Sequence, residues 1–304
     1  MPNPPYVETH LHLWNFDDER LFYGWLEPGA PHPVLSQDEL AQLNGSSYLI
    51  EDFVDDAAGS GCLAAVHVQA AVGIPDPVDE TAWLQATADR TGWPQAIIAH
   101  ADLADSGLPA VLDRHGEFPL FRGIRDFGRP GYLEDPAWRA GFAELGRRGL
   151  IASVDCTPTT MPQVESVLRE VPGTRAVIDH MGFPQSFGDE EFERWQRGMR
   201  TIARHEQVVL KVSEMGMVEH GWTLAGIERW IHASIEIFGP ERIVFGTNWP
   251  VDRLYGGFGE LVDAYRALTA SHSPSERLAM LAGNAVALYS IDVDLGQGGE
   301  GAGA

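Results

Sequence analysis

Residues 6–14 read YVETHLHLW, a run of apolar and β-branched residues that contains two histidines, His10 and His12. Aromatic and β-branched residues favour extended strands. Side chains two positions apart lie on the same face of a strand, so the two imidazoles would point to one side. The run therefore predicts a buried strand with a pair of histidines on one face.

Seven further short apolar runs follow the first one, and helix-like segments separate them. The eight runs are Tyr6–Trp14, Leu63–Ala70, Ala96–Asp102, Leu120–Phe127, Leu150–Asp155, Ala176–His180, Val208–Ser213 and Ile243–Thr247. Between the runs, in segments such as Leu224–Phe238, apolar residues recur at spacings of three and four, which is typical of amphipathic helices. Strands that alternate with helices predict a parallel sheet joined by helical crossovers. We therefore expect an α/β fold, a (β/α)8 TIM barrel that forms a single domain over residues 6–291.

Two regions depart from this regular order. Residues 15–47, rich in Asp, Pro, Gly and Ser, form a long loop insertion after the first strand. Loops that follow barrel strands lie on the catalytic face, so we expect this insertion to act as a lid. Residues 296–304 contain only Gly, Ala, Gln and Glu, a composition that predicts a disordered tail. Ser275 is expected to cap the last helix.

The composition excludes several classes of partner. The chain has 21 Lys and Arg against 44 Asp and Glu, a formal net charge of −23 that would repel phosphate backbones and anionic lipid surfaces. We expect no nucleic-acid and no membrane partner. The two cysteines, Cys62 and Cys156, lack the spacing of a zinc site. The chain shows neither a basic leader nor a run of about 18 apolar residues, which predicts a cytoplasmic protein. Whether it forms a homo-oligomer stays open.

Polar residues lie at or near the carboxyl ends of most of the eight runs. They are His10 and His12, His67 and Gln69, His100 and Asp102, Arg122 and Arg125, Asp155, Asp179 and His180, Lys211 with Ser213 and Glu214, and Asn248. Any one of them could be an ordinary surface residue, and a histidine pair alone is more often two separate side chains bonded to the backbone. Barrel enzymes place catalytic groups at these strand ends, so the recurrence predicts an active site there.

Five motifs resemble the amidohydrolase-related family of TIM-barrel hydrolases. They are VETHLHLW (7–14), FRGIR (121–125), DHMG (179–182), FGTNWPVD (245–252) and GNA (283–285) followed by LY (288–289). The family includes sugar lactonases of the fuconolactonase kind, pyrone-dicarboxylate lactonases and galactarolactone isomerases. The resemblance implies a barrel enzyme that acts on a small-molecule substrate.

By this resemblance, His10, His12 and His180 form the catalytic cluster. In such a cluster the imidazoles either bind one divalent metal such as zinc or polarise the substrate carbonyl without a metal. Arg125 matches the family's contact to a substrate anion or carbonyl, a role that suits a guanidinium. Arg122 is expected on the opposite face of its strand.

Four further residues are predicted to contact the substrate: Trp14, Gln69, Glu214 and Trp249. For the two tryptophans the competing interpretation is packing between helices and barrel, which is the commoner use of tryptophan in such folds. A two-metal site is not expected, because the fourth run offers arginines, and a guanidinium does not bind cations.

The sequence departs from the family pattern at the end of the eighth run. Amidohydrolases carry an aspartate there, whereas this chain has Asn248. An amide can orient a ligand by hydrogen bonds but cannot accept a proton as a general base. Hydrolysis then needs another base, and Asp252 and Glu214 are the nearest candidates in the sequence. We assign Asn248 and Asp252 to the catalytic set on this basis. The competing interpretation for each of the two carboxylates, Asp252 and Glu214, is a loop residue paired with Arg253 or another cation.

These observations favour a lactonase, which opens a cyclic ester by adding water to a polarised carbonyl. The first alternative is a lactone isomerase, in which a substrate hydroxyl replaces water and no strong base is needed at Asn248. A metal-dependent decarboxylase and a barrel that binds a ligand without turning it over are the remaining alternatives.

Overall fold

The eight predicted strands form one parallel sheet whose order follows the chain, from β1 to β8. The computed structural model describes residues 3–126 and 130–296. The strands are β1 (Tyr6–Leu11), β2 (Cys62–Val68), β3 (Ala96–Ala99), β4 (Phe121–Arg125), β5 (Ile151–Val154), β6 (Arg175–Ile178), β7 (Val208–Val212) and β8 (Ile243–Phe245). The (β/α)8 barrel predicted from the alternation of runs and helix-like segments is thus confirmed.

Helices follow the strands and surround the sheet. They are α1 (Gln37–Leu43), α2 (Ile50–Asp56), α3 (Val78–Thr91), α4 (Leu108–His115), α5 (Pro136–Arg147), α6 (Met161–Glu170), α7 (Asp189–Ile202), α8 (Met215–Val218), α9 (Leu224–Phe238), α10 (Phe258–Leu268), α11 (Pro274–Leu278) and α12 (Asn284–Tyr289). The cap of α11 is Ser273, whose hydroxyl accepts a hydrogen bond from the Glu276 amide, so the expectation that Ser275 caps the last helices was wrong. No helix of the described residues is both long and apolar enough to cross a bilayer.

Two apolar layers hold the barrel together. A smaller cluster fills its interior with alternate strand residues such as Val66, Ile98 and Val177, and α12 closes this interior at one end through Tyr289. The intervening strand residues pack outward against the helices in a larger cluster. Alternation along a strand explains this division, since successive side chains point to opposite faces.

Strand β1 contains a register shift that sets the direction of its histidines. Its pairing with β2 shifts between Glu8 and Leu11, as at a β-bulge. Val7 belongs to the interior cluster, yet His10 and His12 also lie on the interior side, three and five residues later. A bulge adds one residue to a strand and reverses the faces beyond it. The two histidines therefore point into the barrel, on the same side as predicted.

Side chains of β1 join it to β8 and close the barrel. The Glu8 carboxylate accepts hydrogen bonds from the His10 amide at 2.7 Å, the Thr247 amide at 2.9 Å and the Thr247 hydroxyl at 2.7 Å. The Tyr6 hydroxyl also donates to it at 3.2 Å. Beyond Glu8, the His12 amide donates to the Trp249 carbonyl at 2.7 Å. The buried Glu8 thus satisfies donors that would otherwise lack partners inside the protein.

The loop insertion that follows β1 lies over the carboxyl ends of the strands. It contains α1, and it is fixed to the barrel by the Trp25 indole, which donates to the Ala70 carbonyl at 2.9 Å. The predicted disordered tail falls almost entirely in residues 297–304, which lie outside the described residues.

Replacing Glu8 with Gln should lower the free energy of unfolding by about 1–3 kcal/mol. The side-chain NH₂ of Gln would face the buried N–H and O–H groups that now donate to Glu8, and two donors cannot form a hydrogen bond. Urea denaturation measures this change. Glu51→Gln is the matched control: the Glu51 side chain is 55% exposed in its pair with Arg90, and its loss should cost under about 1 kcal/mol. Equal losses for the two variants would contradict the role given to Glu8.

Candidate active site

A cavity of about 340 Å³ opens where the carboxyl ends of the strands meet. Six polar residues at strand ends line it: His12, Gln69, Arg125, His180, Glu214 and Asn248. Apolar residues from the insertion and from later loops complete its walls: Trp25, Pro31, Pro33, Val34, Ala70, Val72, Phe183, Met217 and Val251, with His32 among them. The insertion thus forms part of the cavity wall.

The imidazole of His12 is held in one tautomer. Its Nδ1 lies 2.9 Å from the carbonyl oxygen of Val68, which can only accept a hydrogen bond, so Nδ1 carries the proton. Burial, and then the charge of Arg125, lowers the pKa of His12 well below its usual value. The imidazole is therefore neutral near pH 7, and its Nε2 keeps a lone pair for a ligand.

His10 and His180 lie against each other and against the guanidinium of Arg125. Their ring centroids are 4.3 Å apart. Arg125 Nη1 lies 3.5 Å from His10 Nε2, and Arg125 Nη2 lies 3.3 Å from His180 Nε2. Because a guanidinium only donates, His180 Nε2 faces it as an acceptor. His10 has a cation near each of its nitrogens, since Lys211 Nζ lies on the Nδ1 side of the ring. Burial lowers the pKa of His10 well below its usual value and that of His180 to about 3, so both rings are neutral.

Arg125 is oriented by a carboxylate on the neighbouring strand. Its Nε and Nη2 atoms donate to the two oxygens of Asp155, each at 2.9 Å, in the two-point geometry that fixes a guanidinium most firmly. Burial opposes this charge, but Asp155 raises the pKa of Arg125 above its usual value. The predicted contact residue is thus present in the cavity and already neutralised by Asp155.

A second ion pair lies beneath the histidines. Lys211 Nζ is 2.8 Å from Asp179 Oδ1, and both side chains are fully buried. Burial acts to raise the pKa of Asp179, but Lys211 and Arg125 together lower it below its usual value. Lys211 Nζ is also 3.3 Å from His10 Nδ1. This ion pair therefore packs directly against the His10 ring.

Glu214 connects the cavity to His180. Its Oε2 lies 2.8 Å from His180 Nδ1, which is also 3.0 Å from the Ser213 hydroxyl. Since His180 Nε2 faces Arg125, Nδ1 carries the ring proton and donates it to Glu214. Burial raises the pKa of Glu214 well above its usual value, Arg125 opposes that rise, and Asp155 adds to it. The carboxyl group is thus a stronger base than an exposed glutamate.

Three of the polar residues of the cavity have backbone conformations that side chains seldom adopt. His180, Glu214 and Asn248 have φ angles of 52°, 64° and 59°. The left-handed region costs free energy for residues other than glycine, and such strain is concentrated at functional sites. Each of the three follows a strand end, where the strained turn directs its side chain into the cavity.

Asn248 and Asp252 have different positions. Asn248 lines the cavity, whereas Asp252 lies behind it and accepts hydrogen bonds from the Asn248 amide group at 3.2 Å and from the Gly216 amide at 3.0 Å. Burial and the nearby Glu214 raise the pKa of Asp252 well above its usual value. The structure therefore places Asp252 as a partner of Asn248 outside the cavity wall.

The two tryptophans predicted to contact substrate do not line the cavity. Trp14 is fully buried, packs on Trp25 and donates to the Ser46 carbonyl. The Trp249 indole donates to Asp56. Both are packing residues, which is the competing interpretation that the sequence left open. Arg122 also lies away from the cavity, since it donates to the Tyr289 carbonyl at 2.6 Å.

Three residues that build the site received no individual role from the sequence. Asp155, Asp179 and Lys211 appeared only among the polar strand ends. Their position at carboxyl ends of strands is the pattern that could have found them. Their pairing with particular partners depends on the register of the barrel.

The arrangement of the histidines does not fit a divalent cation. The Nε2 atoms of His10 and His180 both face the protonated guanidinium of Arg125. Position 248, where an aspartate would supply an anionic ligand, carries an amide. In residues 3–126 and 130–296 no group of three or more His, Cys, Asp or Glu is arranged to hold a metal ion. The three imidazoles lie close together as predicted, but the cation beside them is the guanidinium of Arg125.

Comparisons with known proteins give one consistent result. The family model described as amidohydrolase matches residues 7–291. The chain is 33% identical over 297 residues to the uncharacterized protein y4mH of Sinorhizobium fredii, covering 94% of this chain and 98% of that protein. It is 30% identical over 301 residues to an L-fucono-1,5-lactonase of Burkholderia ambifaria, covering 94% of this chain and 96% of that protein.

A solved structure has the same fold. An amidohydrolase of Burkholderia multivorans with bound zinc superposes with a TM-score of 0.80 at 24% identity, covering 94% of this chain and 99% of that one. At this identity the likeness is one of fold.

Replacing Lys211 with Met should lower the free energy of unfolding by about 3–5 kcal/mol at pH 8, because Asp179 would remain charged and buried without its closest cation. The deficit should shrink as the pH falls to 5, since Asp179 protonates in the variant and then needs no counter-ion. Denaturation at both pH values measures the change. Adding Asp179→Asn should restore part of the loss, and a purely additive loss in the double variant would contradict the pairing.

Proposed function

The chain belongs to the amidohydrolase family, as its motifs predicted, and we propose that it is a lactonase that opens a small cyclic ester by adding water to the ring carbonyl. The observation that carries this proposal is the convergence of His12, His180, Arg125 and Glu214 at one cavity, with His10 packed behind them against Arg125. A guanidinium beside a basic carboxylate supplies the two groups that acyl transfer to water needs. The identity to L-fucono-1,5-lactonases supports the choice of a lactone.

Arg125 would stabilise the negative charge that develops on the carbonyl oxygen. It lines the cavity and stays protonated, and Asp155 holds its plane fixed. A donor that is already oriented need not reorganise during the reaction, which is the main source of such stabilisation. The neutral His12, whose Nε2 accepts, would position a water molecule or a substrate hydroxyl.

Glu214 is the proposed general base. It lines the cavity, whereas Asp252 lies behind Asn248, so only the former of the two candidates can reach a water molecule beside the substrate. The oxygen of water bonds to the carbonyl carbon while its proton passes to Glu214. The ring carbon–oxygen bond then breaks, and Glu214 returns the proton to the departing alkoxide. The products are the open hydroxy acid and the free enzyme.

We propose that these steps proceed without a metal, because the donor set around Arg125 does not fit one. The amidohydrolase of Burkholderia multivorans was solved with bound zinc, and the zinc is a property of that protein. The proposed roles use the side chains of this chain alone.

Isomerisation is the second candidate function, and Asn248 favours it. An amide at this position can hold a substrate hydroxyl but cannot remove a proton from water. If a hydroxyl of the substrate attacked the carbonyl, one lactone would change into another with no water added.

Hydrolysis in oxygen-18 water distinguishes the two functions. After treatment of the protein with a chelator, incubation with a panel of five- and six-membered lactones should give hydroxy acids that carry one labelled oxygen, as measured by mass spectrometry. The rate should not rise when zinc is added. An unlabelled isomeric lactone as product would favour isomerisation, and activity restored only by zinc would refute the metal-free mechanism.

Glu214→Gln should lower kcat/KM for lactone opening by a factor of about 10²–10⁴, the usual contribution of a general base. In the parent enzyme kcat/KM should rise with pH through the pKa of Glu214, which lies above its usual 4.5 because of burial. The variant should lose this acidic limb. Glu219→Gln, which changes an exposed glutamate nearby, is the control and should keep both rate and pH profile. Retention of the limb in Glu214→Gln would exclude Glu214 as the base.

A further inference from the structure

The outer walls of the cavity, beyond the polar strand ends, offer few partners for hydroxyl groups. Trp25, Pro33 and Val34 of the insertion face it, and Val72, Met217 and Val251 line it from later loops. A hydroxyl placed against such side chains loses its hydrogen bonds to water and gains none in return. An apolar group in the same place gains from leaving water. These walls therefore favour an alkyl or aryl substituent over a polyol.

The apolar surface continues outward at the mouth of the cavity. Val72 lines the cavity and is 38% exposed, and the adjacent Phe22 is 43% exposed. The two residues are joined by a hydrogen bond from the Val72 amide to the Phe22 carbonyl at 3.0 Å. Exposed apolar side chains that adjoin a ligand cavity commonly contact the ligand. A substituent longer than the cavity would lie along this rim.

Both cations of the site are paired with carboxylates before any substrate enters. Arg125 is paired with Asp155 at 2.9 Å, and Lys211 is paired with Asp179 at 2.8 Å. A substrate carboxylate would have to compete with Asp155 and would also approach Glu214. The formal net charge of −23 adds long-range repulsion. The site therefore offers little affinity for an anionic substrate.

Beside His12 and Asn248, Gln69 is positioned to accept a hydrogen bond from a substrate donor. The Gln69 side chain donates to the Ala71 carbonyl at 2.9 Å, which directs its amide oxygen elsewhere. That oxygen is buried, and within the described part of the chain it accepts no hydrogen bond, although Gln69 lines the cavity. A buried acceptor of this kind gains from one hydroxyl or amide donor.

We infer that the substrate is an uncharged lactone with an apolar substituent and at most a few hydroxyl groups, rather than a sugar lactone or a lactone carboxylate. This inference rests on the proposed function, because it names the substrate class of the same site. The ring carbonyl lies at Arg125, and the substituent extends along Val34 and Val72 to the rim.

A panel of six-membered lactones tests the inference. The probes are δ-valerolactone, its pentyl-substituted form, L-fucono-1,5-lactone and a δ-lactone that carries a carboxylate. Initial rates from proton release, corrected for spontaneous hydrolysis, should give the pentyl lactone a kcat/KM at least tenfold above that of the sugar lactone. The carboxylated lactone should be the poorest. Preference for the sugar or the carboxylated lactone would overturn the inference.

A pair of valine variants assigns the preference to the wall. Val72→Ser should lower the ratio of kcat/KM for the pentyl lactone to that for δ-valerolactone by about three- to tenfold, the range expected for a small change in an apolar pocket. Val54→Ser changes a valine of similar exposure, 43%, on α2, away from the cavity, and should leave the ratio unchanged. An unchanged ratio in Val72→Ser would exclude this wall as the binding surface.

Binding without turnover separates this inference from the proposed function. Calorimetry with a pentyl-substituted δ-lactam, which resists hydrolysis, should show binding at least tenfold tighter than that of a polyhydroxylated δ-lactam. If this holds while no lactone is opened, the lactonase proposal fails and the recognition of an apolar ring ligand stands. If lactones are opened but the two lactams bind equally, the substrate class is refuted and the lactonase stands.

Discussion

The pairing of buried charges inside the barrel determines how the rest of the site is arranged. Arg125 can lie among three imidazoles only because Asp155 neutralises it, and Lys211 can lie beneath them only because Asp179 does the same. An unpaired ion in this environment would cost several kcal/mol. Once Arg125 is fixed, the Nε2 atom of His180 must accept, so the ring proton of His180 must lie on Nδ1, toward Glu214. The Arg125–Asp155 pair thus determines a tautomer that the His180 ring alone leaves undetermined.

The backbone supports the same arrangement. His180, Glu214 and Asn248 follow β6, β7 and β8, and each has a left-handed conformation. Such strain persists only when the surrounding structure compensates for it. Here the last residues of the three strands, Ile178, Val212 and Phe245, are buried, and Glu8 joins β1 to the segment after β8. The stable part of the fold therefore holds the strained turns that direct the reactive side chains.

The sequence predicted the barrel because strand and helix periods are local properties. It predicted the meeting of His10, His12 and His180 because strand ends converge at one face and the motifs match a known family. It could not assign Asp155 to Arg125 or Asp179 to Lys211, since those pairings depend on the stagger between strands. It also could not separate Trp14 and Trp249, which pack in the core, from Trp25, which lines the cavity. Whether an aromatic side chain at a strand end points to ligand or to core is decided by the loops that cover it.

Asn248 explains why the base is expected on a different strand from the one that the family pattern suggests. A carboxylate at position 248 would lie beside Asp252 and near Glu214, whose pKa values burial already raises well above their usual range. Three neighbouring carboxyl groups could not all be ionised, because like charges oppose one another's ionisation. With an amide at 248, Asp252 has a donor to face and Glu214 can ionise with Arg125 close by. In the proposed mechanism the general base therefore lies at the end of β7 instead of the end of β8.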